Sequence, residues 1–173
     1  MSGISRSWIV ILLLSLAMAE VALFYQYVLG IQPCVSCIHA RLWTLGLIAV
    51  SVIGVILSRF AWTQPILAII AAGFSLGLGE TAYSLLSIER GWSIGSCSFD
   101  AGLPSWFALD EWLPAVFMPF EPCSATPELL FGITMAEGLL FTASAVGLLS
   151  LVKLLSAIAT LLFEARIARN QAQ

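Results

Sequence analysis

Four cysteines carry the chemistry that this sequence offers. Cys34-Val35-Ser36-Cys37 is a C-x-x-C, and Cys97 and Cys123 stand 26 positions apart further along the chain. A C-x-x-C holds two sulfurs within reach of each other, and such pairs exchange readily with other thiols and disulfides. Pro33 precedes the motif and an apolar run opens at Ile38, so Cys37 falls at or beside a helix N-terminus. Aligned peptide dipoles favour a thiolate there. Arg41 follows Cys37 by four residues, which on a helix sets both on one face. A permanent cation beside a sulfur at a helix N-terminus is the setting of a reactive, exchangeable sulfur.

The same residues admit blander roles. Cysteines on an oxidising face also form purely structural disulfides. A zinc site built from all four cysteines is a further alternative, although zinc modules use two closely spaced pairs and Cys97 and Cys123 are not so spaced. Covalent haem attachment requires C-x-x-C-H, and Ile38 stands where the histidine belongs. His39, the only histidine, reads first as an interfacial side chain; tuning the thiols or donating to a ligand is the sharper reading. Glu20 and Glu80 interrupt apolar runs, where an ionisable group is costly, so both are candidates for proton transfer. The simpler reading makes them protonated acids bonded to neighbours such as Thr44 or Ser75.

Composition dictates the elements that must position these groups. Of 173 residues, 60% are hydrophobic and 10% charged, and the mean hydropathy is +1.01. Soluble domains run at about a quarter charged. Seven Lys+Arg against ten Asp+Glu give a net charge of −3, which leaves no basic footprint for nucleic acid. A span needs about 20 apolar residues, and the runs predict an all-α membrane protein, a four-transmembrane-helix bundle forming one domain over 1–173. The expected spans are about 8–29, 38–57, 65–86 and 135–155, with loops at about 30–37 and 88–134. Thr134-Met135-Ala136-Glu137 reads as a capping box opening the fourth helix. At that helix's far end Lys153 is expected to snorkel outward, and the tail from Ser156 continues the helix or lies along the surface. Arg6, a short apolar run and Ala17-Met18-Ala19 resemble a cleavable signal, but the apolar character resumes after Glu20 and reaches Leu29, as a first span requires.

Orientation follows from Lys and Arg. One side collects Arg6, Arg59, Lys153, Arg166 and Arg169, and the other holds only Arg41 and Arg90. Both termini are therefore expected in the cytoplasm and all four cysteines on the opposite, oxidising face. The long outer loop is rich in aromatics (Trp106, Phe107, Trp112, Phe117, Phe120), and Pro104, Pro114 and Pro119 limit any helix there to short pieces. It reads as an interfacial loop, with partner docking as the sharper alternative.

In order and spacing, the sequence resembles the disulfide-bond formation protein B (DsbB) family over nearly the whole chain. The residues that carry the resemblance are Gln26, Pro33-Cys34-Val35-Ser36-Cys37-Ile38-His39-Ala40-Arg41, Cys97-Ser98-Phe99, Leu103-Pro104-Ser105-Trp106, Trp112-Leu113-Pro114, Phe117 and Cys123. The resemblance implies a quinone-dependent protein-disulfide oxidoreductase of the bacterial inner membrane, multi-pass, with its cysteines on the periplasmic face. It implies redox-active disulfides Cys34–Cys37 and Cys97–Cys123. By the same resemblance, a periplasmic DsbA-like thioredoxin-fold oxidant is expected to attack Cys97, Cys123 to relay electrons to Cys34, and Cys37 to face ubiquinone or menaquinone with Arg41 assisting. The implied partners are that oxidant, the membrane quinone pool and the lipid bilayer, with no metal and no nucleic acid. A DsbA-type oxidant is known as a strong one, at about −120 mV, so its reoxidation needs an acceptor stronger than a thiol pool.

One departure stands out. Well-studied members carry a histidine near the outer end of the third helix, and Thr81–Ser87 contains none. The alternatives are a specialised paralogue dedicated to one partner and a non-catalytic, metal-binding membrane protein. An outward electron conduit fits poorly, because all four cysteines fall on one side of the bilayer.

Overall fold

The computed structural model describes residues 2–93, 102, 112–119 and 132–171. Four long helices dominate: α1 (Ser2–Tyr27), α2 (Val35–Ile56), α3 (Gln64–Glu89) and, after the long loop and a short helix α4 (Pro114–Phe117), α5 (Met135–Gln171). Each long helix contains a stretch long and apolar enough to cross a membrane: Arg6–Tyr27, Val35–Arg59, Gln64–Glu89 and Met135–Thr160. Among the described residues there is no strand element. The chain is an all-α, multi-pass membrane protein.

Local chemistry sets where each helix starts and stops. After α1 the chain turns through Gly30 at φ +70°, a left-handed conformation that glycine adopts without steric cost. Pro33 then ends any continuation, and α2 begins at Val35 with Cys34 as its extended N-cap residue. Two 3-10 turns, Leu57–Arg59 and Ala61–Thr63, link α2 to α3, whose first turn carries Pro65, a position that needs no amide donor. At the start of α5 the capping box is formed as expected. The Glu137 amide donates to Thr134 Oγ1 at 3.3 Å, and the Thr134 amide donates to a Glu137 carboxylate oxygen at 3.2 Å. The helix does not stop near residue 155. It continues to Gln171, and 37 residues at 1.5 Å each reach about 55 Å, well beyond a hydrocarbon core of about 30 Å.

Neighbours in sequence pack as neighbours in space, and α1 also meets α5, which closes the bundle. Helix association in lipid depends on close fit rather than on the hydrophobic effect, and the fit here uses small residues. Ala68, Ala71 and Ala82 of α3 and Ala136 and Ala143 of α5 are buried at these contacts. The Ser75 hydroxyl crosses from α3 to donate to the Ala143 carbonyl at 2.7 Å. Between α2 and α3 the fit is reciprocal: the Phe74 ring covers Gly46 and the Trp43 ring covers Gly77, where an added Cβ would stand 2.7 Å from the indole. The two rings meet edge to face at 5.9 Å, and the Trp43 indole donates to Thr81 Oγ1 at 3.2 Å.

Several other hydroxyls bond within their own helices. Thr44, Ser51, Thr81 and Thr142 donate to the carbonyls of Ala40, Leu47, Gly77 and Gly138, each four residues back. The hydroxyl protons of Thr44 and Ser75 are therefore committed to backbone carbonyls rather than to Glu20 or Glu80. At the end of the bundle remote from Cys34, the Trp8 ring lies against Gly54 and its indole donates to Gln64 Oε1 at 2.8 Å. Lys153 does not snorkel outward. Its ammonium sits 4.2 Å above the centre of the Trp8 ring, and the residue is only 9% exposed. The indole face gives the charge a favourable seat inside the bundle.

Candidate functional site

Cys34 and Cys37 lie at the mouth of α2. The Ile38 amide bonds to the Cys34 carbonyl at 3.1 Å, the first hydrogen bond of the helix, so both sulfurs sit in its first turn, among amides that have no carbonyl ahead of them. Cys34 is buried and Cys37 half-buried. Their Sγ atoms are 2.9 Å apart in a thiol–thiol contact. That is a dithiol ready to close into a disulfide, which needs an S–S distance of about 2.05 Å.

Arg41, one turn further along α2, lies on the same side of the helix as Cys37. The guanidinium is held rather than free. Its Nη1 donates to Gln26 Oε1 and to the Val116 carbonyl, both at 2.6 Å. Its Nε is buried and meets no hydrogen-bond partner among the described residues. Gln26, near the end of α1, donates in turn through Nε2 to the Ala115 carbonyl at 2.7 Å, and the Tyr27 hydroxyl donates to the same carbonyl at 2.9 Å. Together these bonds dock α4 on the α1–α2 side of the bundle, with Phe117 buried beneath it.

The expected site residues therefore fall into three groups. Cys34, Cys37 and Arg41 are brought together. Cys97 and Cys123 lie outside the described residues, as do Trp106, Phe107 and Phe120 of the aromatic loop. His39, two residues past Cys37 and so about 200° around the helix, faces away from the sulfurs. It lines a lateral groove of about 750 Å³ between α2 and α3, together with Trp43, Phe74, Glu80 and Thr81. Glu80 borders this groove and Glu20 is exposed on α1, so neither acid is gathered into the cluster of Cys34, Cys37 and Arg41. Among the described residues no group of three or more His, Cys, Asp or Glu converges as a metal site would need.

Sequence reading alone missed Tyr27, Ala115 and Val116. The signal available was weak: a glutamine and a tyrosine at the end of an apolar run, and a proline that starts a helix at residue 114.

The family model described as "Disulfide bond formation protein DsbB" matches residues 5–153. A "Disulfide bond formation protein B" from Shewanella loihica is 35% identical over 133 residues, covering 76% of this chain and 77% of the relative. A protein of the same name from Shewanella frigidimarina is 32% identical over 154 residues, 88% of this chain and 90% of its own length. With a dithiol at the mouth of α2, four membrane-spanning helices and a match across most of its length, the chain belongs to the DsbB family of membrane proteins of disulfide bond formation.

Proposed function

We propose that the protein is a membrane thiol oxidase. It takes electrons from the dithiol of a DsbA-like, thioredoxin-fold oxidant and passes them to a membrane quinone, ubiquinone or menaquinone. It works in a bacterial inner membrane with both termini in the cytoplasm and the cysteines facing the periplasm, as the bias of Lys and Arg supports.

The observation that carries the reading is Arg41. A guanidinium one turn from a dithiol, with a buried Nε donor that no described residue accepts from, suits a ligand that presents a carbonyl oxygen. The surroundings suit a lipid-soluble one, since Leu45 on the same face and Val28 and Leu29 at the end of α1 are exposed and apolar. Cys37 and Arg41 would hold the quinone. When bound, it supplies an acceptor for two electrons and two protons.

The chain's own residues do the rest. The partner's thiolate attacks Cys97, releasing Cys123, and Cys123 attacks Cys34. Cys37 then leaves as a thiolate, stabilised by the amides of the first turn of α2 and by Arg41.

The test uses purified protein, a reduced thioredoxin-fold oxidant and, in separate runs, a short-chain ubiquinone and a menaquinone analogue. Expected is quinone reduction matched by disulfide formation in the partner, lost in Cys37→Ser. Absence of partner oxidation with both quinones overturns the reading, and a stoichiometric bound metal favours the metal-binding alternative.

A further inference from the structure

Gln26 is 9% exposed, and both ends of its amide are in use: Oε1 accepts from Arg41, and Nε2 donates to Ala115. A buried amide satisfied in this way fixes whatever it joins. Here it joins the cation beside the cysteine pair to α4, a piece of the long loop. Three donors from two membrane helices (Gln26, Tyr27 and Arg41) converge on the adjacent carbonyls of Ala115 and Val116. None of these bonds touches a sulfur.

We propose that Gln26 is a positioning residue for exchange between the two cysteine pairs: through Arg41 and the carbonyls of α4 it latches the loop to the cysteine end of the bundle. The inference rests on the sulfur route proposed above. Cys123 follows Phe117 by six residues, a tether that spans at most about 20 Å. With α4 latched, Cys123 stays within that radius of the docking point, and a short tether raises its effective concentration at Cys34. In the step concerned, the Cys123 thiolate attacks Cys34 Sγ. The Cys34–Cys37 bond breaks, a Cys34–Cys123 bond forms, and Cys37 leaves with the electron pair as a thiolate. Gln26 contributes no atom to this exchange and acts only through what it holds.

The experiment reads two half-reactions on the full chain by rapid quenching and thiol alkylation. In the first, quinone-free oxidised protein is mixed with a reduced thioredoxin-fold oxidant, and the appearance of the Cys37 thiol is timed. In the second, chemically reduced protein is mixed with a short-chain ubiquinone, and loss of the Cys37 thiol is timed. Gln26→Leu is expected to slow the first by about tenfold, the scale of one or two lost hydrogen bonds, and to slow the second less, because it also removes the acceptor that holds Arg41. Gln26→Glu keeps an acceptor for Arg41 but loses the donor to Ala115, and should fall between. Tyr27→Phe, which leaves Arg41 untouched, should slow the first half-reaction less but in the same direction, and it serves if the Gln26 variants fail to fold. Equal slowing of both halves, or no slowing of the first, overturns the latch. A wild-type protein that exposes no Cys37 thiol in the first half-reaction overturns the sulfur route itself, and the latch with it.

Discussion

Arg90 and Glu137 tie the base of the long loop. Arg90 Nη2 lies 2.7 Å from Glu137 Oε1, joining the end of α3 to the first turn of α5. Glu137 serves twice, because its other carboxylate oxygen accepts the Thr134 amide in the capping box. The ion pair is largely solvated, with Arg90 54% exposed. Arg90→Ala should therefore lower stability by less than about 1 kcal/mol, and Thr134→Ala, a lost cap, by about 1 kcal/mol. Glu137→Ala loses both contacts and should lower the Tm in detergent more than Arg90→Ala does. Identical Tm values for Arg90→Ala and Glu137→Ala would deny the cap any weight.

Gly46→Ala should be the costlier of two glycine changes. Its new Cβ would run into the Phe74 ring, which is already wedged edge to face against Trp43. Relief requires α2 and α3 to part or Phe74 to leave its rotamer, at about 1–3 kcal/mol. Gly73→Ala is the control, since nothing lies within 4 Å of a Cβ built there. Thermal unfolding of the two variants side by side checks this, and equal loss in both would mean that the close approach at Gly46 is not limiting.

Arg41→Met should impair quinone use more than partner recognition. The guanidinium supplies the donors on the membrane side of Cys37, so its loss should cost roughly tenfold to a hundredfold in kcat/KM for quinone. Arg41→Lys keeps the charge but not the fork of donors and should recover part of that. Kinetics with quinone varied at saturating partner, then the reverse, separate the effects. Unchanged quinone kcat and KM in Arg41→Met would remove the residue from the mechanism.

On the proposed sulfur route, Cys97→Ser should abolish oxidation of the partner, because the Cys97–Cys123 disulfide that its thiolate attacks can no longer form. Cys123→Ser leaves Cys97 with no disulfide to be attacked, so its thiolate should instead attack the disulfide of an oxidised partner and hold it as a mixed disulfide that no Cys123 resolves, visible on a non-reducing gel. Accumulation through Cys123 in a Cys97→Ser background would reverse the roles of the two.

What the sequence disclosed, and what it withheld, follows from the range of the interactions. The spans and the Thr134–Glu137 cap depend on residues within a turn or a run of each other, and local pattern was enough to read them. The pairing of Cys37 with Arg41 is local too. The seat of Lys153 over Trp8 joins residues at opposite ends of the chain, so pattern alone suggested the generic snorkelling instead. The docking of α4 is harder still to foresee. Gln26, Tyr27 and Arg41 bind backbone carbonyls of Ala115 and Val116, which every residue type possesses, so the contact leaves no mark on the side chains it receives. The tight seam between α2 and α3 was hidden likewise, because a glycine in an apolar run does not say which ring will cover it.

The hydroxyls that close on their own helices have a consequence for how the protein is made. Because Thr44, Ser51, Thr81 and Thr142 bond within the turn that bears them, each of the three helices that carry them has those groups settled before it meets another. A ribosome delivers these spans one after another, and each can leave the insertion channel singly without carrying those hydroxyls unsatisfied into hydrocarbon. Bonds that need two helices, Ser75 to Ala143 and Trp43 to Thr81, are left for rods already in the bilayer to find. The first of these waits for α5, the last to be synthesised. Its arrival against the alanines of α3 completes the ring, so truncation before α5 should yield three inserted helices with no closed bundle.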